Sequence, residues 1–198
     1  MGAQRHAGAL EAALTGPKTL GEAAERLHHA GFPLVVLLVC LPFLQPIPMG
    51  GLSTVLGPFM ALQGVQLARG RKSLWLPAWI ARRPLEAKTA GVLVSAARKF
   101  FAFADRVTRP RLVGLARSER AAGVGIALAG AFLSLPFPIP LSNMVCAGPA
   151  ALLSLALLED DGALALLGWL GLFFCAAFHF GLLVLGADGI RALLRRGA

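Results

Sequence analysis

A chain of 198 residues that is 57% hydrophobic and only 15% charged, with a mean hydropathy of +0.70, carries more apolar surface than a soluble domain of this size can bury. That excludes an ordinary water-soluble enzyme and predicts an all-α integral membrane protein. The formal charge of +9 is concentrated in one block, because Arg69 to Arg120 holds thirteen Lys or Arg against three acids.

Residues 1–30 read as an amphipathic interfacial helix, with Leu10, Leu14, Leu20, Ala23, Ala24 and Leu27 on helical spacing and Gly16-Pro17 as an interruption. Its scattered charges lack the basic-then-apolar order of a cleavable leader, so no export signal is expected. Residues 31–107 form a first unit. A hairpin over 31–68 has apolar arms at Gly31 to Leu41 and Leu52 to Ala68, separated by the break Pro42-Phe43-Leu44-Gln45-Pro46-Ile47-Pro48-Met49-Gly50-Gly51. Neither arm reaches the ~20 residues that a hydrocarbon core asks for, so the arms are expected to be re-entrant half-spans.

A basic connector at 69–83 follows, with Trp75 and Trp79 as headgroup-level anchors. Arg69, Arg71, Lys72, Trp75, Trp79, Arg82 and Arg83 make up a platform for anionic lipid headgroups or a partner protein. Next is an interfacial helix at 86–107, where Arg98 and Lys99 would each cost ~2.5–3.5 kcal/mol at the bilayer centre. Basic residues mixed with Trp75, Trp79, Phe100, Phe101 and Phe103 suit lipid and not nucleic acid. The segment 69–120 is predicted to be cytoplasmic.

Residues 108–187 form a second unit: a short basic helix at 110–120, a hairpin at 121–158 broken at Pro136-Phe137-Pro138-Ile139-Pro140-Leu141-Ser142-Asn143, and a spanning helix at 163–186. Residues 188–198 are a basic tail. Setting Pro46-Ile47-Pro48-Met49 over Pro138-Ile139-Pro140-Leu141 brings Gly57-Pro58 within one residue of Gly148-Pro149. Two internal repeats, inverted with respect to each other, are expected. Ordinary kinked spans are the plainer alternative. The acidic turn Glu159-Asp160-Asp161-Gly162 reads as a solvated loop between helices. It suggests an outside location, whereas Arg191, Arg195 and Arg196 suggest a cytoplasmic tail.

The tips carry limited chemistry. Gly50 and Gly51 let the chain turn, and Ser53-Thr54 and Ser142-Asn143 can cap the helices that follow. Two helix N-termini facing inward would receive an anion. Gln45, Pro46, Pro48, Gly50, Gly51, Ser53, Thr54, Gln63, Gln66, Pro138, Pro140, Ser142 and Asn143 are therefore the candidate anion-binding set, with simple capping as the competing explanation. His179, the sole ionisable residue of the last span, is a candidate proton carrier, and a neutral imidazole bonded to a carbonyl is the alternative. Cys40, Cys146 and Cys175 have no CxxC-like spacing, so neither a disulfide nor a metal site is suggested. No triad, phosphate loop or dinucleotide fingerprint is present, and neither enzymatic activity nor a cofactor is expected.

The run Pro46 to Thr54, then Leu62-Gln63-Gly64-Val65-Gln66-Leu67 leading to Gly70-Arg71-Lys72, then Trp75-Leu76-Pro77, with the second tip and the acidic turn, resembles the ExoD family of bacterial exopolysaccharide-synthesis proteins. The resemblance runs from about Thr19 onward. It implies an inner-membrane protein linked to exopolysaccharide production, and it carries no catalytic set. Binding or transport of an anionic lipid-linked substrate such as a polyprenyl phosphate, or of small ions, is the leading expectation. A scaffold for polysaccharide-synthesis machinery is the second. Re-entrant tips in so small a chain would be shielded well in a homodimer.

Overall fold

Alanine- and leucine-rich stretches punctuated by Gly and Pro fold here as helices, and the computed structural model describes residues 2–17, 19–26, 31–44, 51–71, 74–135 and 142–196. In chain order these are α1 (Gly2–Leu14), α2 (Leu20–Arg26), α3 (Gly31–Cys40) with a 3-10 turn Leu41–Leu44, α4 (Leu52–Ala68) and α5 (Ala78–Ala81). Then come α6 (Ala87–Val107), α7 (Val113–Ala116), α8 (Glu119–Leu133), α9 (Ser142–Glu159) and α10 (Gly162–Arg196). Among the described residues there is no strand, only the isolated bridges Thr19–Pro84 and Arg111–Asp161.

The N-terminal segment breaks where its composition requires. Gly16 takes φ 96° and Pro17 cannot extend a helix, so α1 ends before them. Leu10, Ala13 and Leu14 are buried, and α1 packs on α6, whose buried residues Ala90, Ala97, Phe101 and Ala104 recur at helical spacing. An ion pair between Arg98 and Glu11 joins the two helices on their exposed side.

The core is a group of four helices. α4 packs on α8, α3 on α9, α8 on α9 and α3 on α4, with α10 against α9 and α8. The tightest contact is the α4–α8 seam. Gly57, Ala61, Gly64 and Ala68 repeat the spacing of Gly123, Ala127, Gly130 and Ser134. A Cβ at Gly64 would lie 2.3 Å from the Ala127 nitrogen, one at Gly130 2.4 Å from that of Ala61, and one at Gly123 2.4 Å from that of Ala68. Backbones meet directly there, the small-residue packing that holds helices together where lipid supplies no hydrophobic drive.

This seam is antiparallel, since Gly57 at the start of α4 meets Ser134 at the end of α8. α4 therefore begins, and α8 ends, at the same end of the helix group. Inverted hairpins would have made α4 and α8 parallel. The expected inversion of the two units is therefore corrected at this pair, which runs head to tail.

At the opposite end the acidic turn meets the short basic segment around Arg109, Arg111 and Arg117. Arg117 Nε lies 3.1 Å from Asp160 Oδ1. The Asp161 side chain is fully buried: Oδ2 accepts the Arg109 N–H at 3.0 Å, and Oδ1 accepts the Ala163 N–H at 3.0 Å and Arg111 Nε at 3.2 Å. Asp161 thus caps α10. Burial pushes its carboxyl up, but the Arg109 and Ala163 amides and the Arg111 guanidinium together outweigh that and hold it below the usual carboxylate range. The solvated-loop expectation is corrected for Asp161. The acidic turn lies beside its basic partners, so it is no marker of the opposite side.

Among the described residues two helices are long and apolar enough to cross a membrane, Ser142–Glu159 and Gly162–Leu185. The first is mostly enclosed by its neighbours, whereas only 22% of the second is buried. Leu166, Leu167, Leu170, Phe173, Phe174 and Phe180 form an uncovered apolar face on α10. A face of that extent has no place in water and marks a membrane-associated protein.

Candidate functional site

Much of the predicted chemistry falls within or next to the two breaks in the chain. Gln45, Pro46, Pro48, Gly50, Pro138 and Pro140 lie outside the described residues, and so does Lys72. Of the described residues near them, Gly57 meets Ser134, and Phe132 and Cys146 both reach His179.

The capping chemistry differs from expectation. Gly51 is the N-cap of α4, at φ 82°, and it offers no side-chain bond to the first turn. Ser53 and Thr54 stand inside the helix, Ser53 buried and Thr54 exposed. The reason is conformational: the left-handed turn needs glycine, which puts the cap two residues before Ser53. Ser142, buried, and Asn143, half-buried, belong to the first turn of α9. Helix interiors also contain Pro58 and Pro149, each of which removes one backbone donor.

The two glutamines of α4 have separate roles. Gln66 clasps the connector: its Nε2 donates to the Trp75 carbonyl at 3.1 Å, and its Oε1 accepts the Trp75 N–H at 3.1 Å. Its amide is taken up in holding the chain after α4, and Gln66 stands apart from the anion set. Gln63 is fully buried, and neither its Nε2 nor its Oε1 has a partner. A buried amide left unbonded costs about 1–3 kcal/mol, so its presence in a helix interior asks for a reason.

The platform residues Arg69, Arg71, Arg82 and Arg83 are exposed, as is Trp75 at 51%. Trp79 belongs to α5. Arg69 and Arg71 follow the C-terminal end of α4, and Trp75 is held there by Gln66.

His179 is buried at 2% exposure. Its Nδ1 lies 2.8 Å from the Cys175 carbonyl oxygen, one turn earlier on α10, and because a carbonyl only accepts, Nδ1 carries the proton. This is the carbonyl-bonded arrangement weighed for it above. Nε2 faces Cys146 Sγ at 3.7 Å, and Cys175 Sγ lies 3.4 Å from Cys146 Sγ. Phe132 and Phe178 close around the ring, with centroids 4.9 Å and 5.5 Å away. Sequence reasoning missed this grouping because Cys146 and Cys175 are 29 residues apart. The signal available was the i, i+4 spacing of Cys175 and His179, which puts both on one face of a helix.

Comparison with known proteins gives a consistent picture. Residues 7–181 match the family described as "Exopolysaccharide synthesis, ExoD". The chain is 35% identical to the protein ExoD of Rhizobium meliloti over 175 residues, covering 85% of this chain and 70% of that protein. It is 31% identical over 133 residues to an uncharacterized protein of Synechocystis sp., covering 66% of this chain and 62% of that relative's length. No solved structure matches.

Proposed function

We propose, from the premise that the chain belongs to the ExoD family linked to exopolysaccharide synthesis, that it is a multi-pass protein of the bacterial inner membrane that binds and moves an anionic substrate. The substrate class is a lipid-linked phosphate, such as a polyprenyl phosphate, or a small ion. The reading assigns no covalent step to the protein. What supports it is that the start of α4, which has no side-chain cap, and the end of α8 lie beside each other at Gly57 and Ser134. Uncapped first-turn amides and the positive end of the helix dipole favour negative charge, more so away from water. The unbonded amide of Gln63, deeper along the same helix, supports the reading further. In this role the hairpins would dip into the bilayer from one side and the substrate would lie between their tips.

Transport by the purified chain in proteoliposomes tests it. Labelled polyprenyl phosphate, or protons or cations, should move across the vesicle, and Pro48→Ala and Asn143→Ala should abolish that movement. If wild-type protein moves none of them, the reading fails.

A second reading, a scaffold for the synthesis machinery, has its own support in the exposed arginines Arg69, Arg71, Arg82 and Arg83. It expects the reverse ranking of variants: neutralising those arginines and Lys72 stops exopolysaccharide production, and the tip changes leave it intact.

A further inference from the structure

We propose that Cys146, Cys175 and His179 form a buried binding site for a thiophilic divalent metal ion of the zinc type. The inference is independent of the anion reading and arises from three side chains that the fold brings together from α9 and α10. Their ligand atoms all lie within 4.8 Å of one another, and all three residues are buried.

The geometry fits a metal. With Zn–S near 2.3 Å and Zn–N near 2.0–2.1 Å, tetrahedral coordination separates two sulfurs by roughly 3.7 Å and a sulfur from a nitrogen by roughly 3.6 Å. The pair Cys146 Sγ–Cys175 Sγ is 3.4 Å apart, and Cys146 Sγ–His179 Nε2 is 3.7 Å. Cys175 Sγ lies 3.6 Å from Nδ1, so its side chain turns toward Nε2 to complete the set. The imidazole is oriented for the task, because its Nδ1–H is tied to the Cys175 carbonyl and its Nε2, the acceptor nitrogen, faces Cys146 Sγ. Metal-bound histidines are oriented in this manner by a partner on the other ring nitrogen.

Charge identifies the class of ion. Among the described residues no other Cys, His, Asp or Glu joins the group. Binding replaces the two thiol protons, which leave to the solvent, so that M²⁺ with two thiolates and a neutral imidazole has no net charge. A neutral assembly is the one that a low-dielectric helix interior tolerates at least cost. A hard ion such as magnesium or calcium would need oxygen ligands, which the group does not provide. Three protein ligands leave the fourth position to water or an incoming donor, as in catalytic and transport sites and unlike closed structural ones.

The test uses the full chain in detergent, kept reduced, stripped with chelator and then titrated with Co²⁺ as a spectroscopic probe and with Zn²⁺. One ion per chain is expected. It should bring a thiolate-to-cobalt charge-transfer band, and about two protons should be released per Zn²⁺ bound. Cys146→Ser, Cys175→Ser and His179→Gln should each weaken binding by more than about 100-fold, while Cys40→Ala should leave it unchanged. Should these variants fail to fold, X-ray absorption at the zinc edge of the wild-type chain decides the matter, since it must show two sulfur neighbours and one nitrogen. Absence of stoichiometric uptake, a cobalt spectrum without the thiolate band, or full uptake by the Cys146→Ser, Cys175→Ser double variant overturns the proposal. So does recovery of metal-free protein in which Cys146 and Cys175 are joined as a disulfide.

Discussion

The buried carboxylate of Asp161 accepts the backbone N–H of Arg109 at 3.0 Å across a separation of 52 residues. With the Ala163 amide and the Arg111 guanidinium on its other oxygen, Asp161 fastens the connector before α7 to the junction of α9 and α10. Gly162 completes the joint. A Cβ there would lie 2.3 Å from the Leu112 carbonyl oxygen, so only glycine lets the two backbones approach.

Asp161→Ala should destabilise the chain by about 3 kcal/mol, since it orphans the N–H groups of Arg109 and Ala163 at ~1–3 kcal/mol each. Denaturant unfolding in micelles measures this. Asp161→Asn, which keeps one acceptor oxygen, should cost less.

The same carboxyl sets an acid limit. Its pKa is lowered on folding, so its contribution to stability is complete above the unfolded value of about 3.9 and disappears as pH falls through the lower folded value. Stability followed between neutral pH and pH 2 should decline over that window in the wild type. The decline should be shallower in Asp161→Asn, and identical acid profiles would rule out this origin.

At the α4–α8 seam, Gly64→Ala and Gly123→Ala should each cost about 1–3 kcal/mol or more, because the added methyl meets main chain that cannot move aside. Gly91→Ala on α6, where nothing lies within 4 Å, should instead stabilise by about 0.5–1 kcal/mol. Thermal melts of the three variants give the comparison.

The two glutamines of α4 should respond with opposite signs. Gln66→Leu removes both bonds to Trp75 and should cost about 1–3 kcal/mol, with faster hydrogen exchange at the Trp75 amide. Gln63→Leu removes two unbonded polar atoms and should be neutral or stabilising. If that stable variant also loses substrate movement, Gln63 belongs to the binding path.

A cysteine placed at Ser118 and another at Leu185 should react with a membrane-impermeant thiol reagent from opposite sides, because the 24-residue apolar stretch Gly162–Leu185 of α10 separates the acidic turn from its far end. The three native cysteines are buried and give a low background. Labelling of both sites from one side would show that α10 does not cross.

The helical class, the bounds of α4 and the junctions at Gly16-Pro17 and Gly162 were legible in the sequence, because apolar runs and Gly or Pro punctuation are local signals. The relative direction of α4 and α8 was not. Inversion and its opposite leave the same Pro-x-Pro spacing, and only the pairing of Gly57 with Ser134 separates them. Capping was misread because Ser53 is a good cap by type, yet the left-handed turn at Gly51 fixes the helix start earlier. Burial of Asp161 was equally hidden, since its partners come from Arg109 and Arg111, far away in the chain. The cluster of Cys146, Cys175 and His179 depends on which faces of α9 and α10 meet, and no local pattern encodes that.

The glycine–alanine seam also limits how this protein can change shape. A slide of α4 along α8 by one position would drive the side chains of Gln63 or Val65 into main chain that now touches at Gly64. The two helices consequently behave as one lever, and any opening or closing must take place at the borders of that rigid pair, such as the sparser contact of α3 with α4.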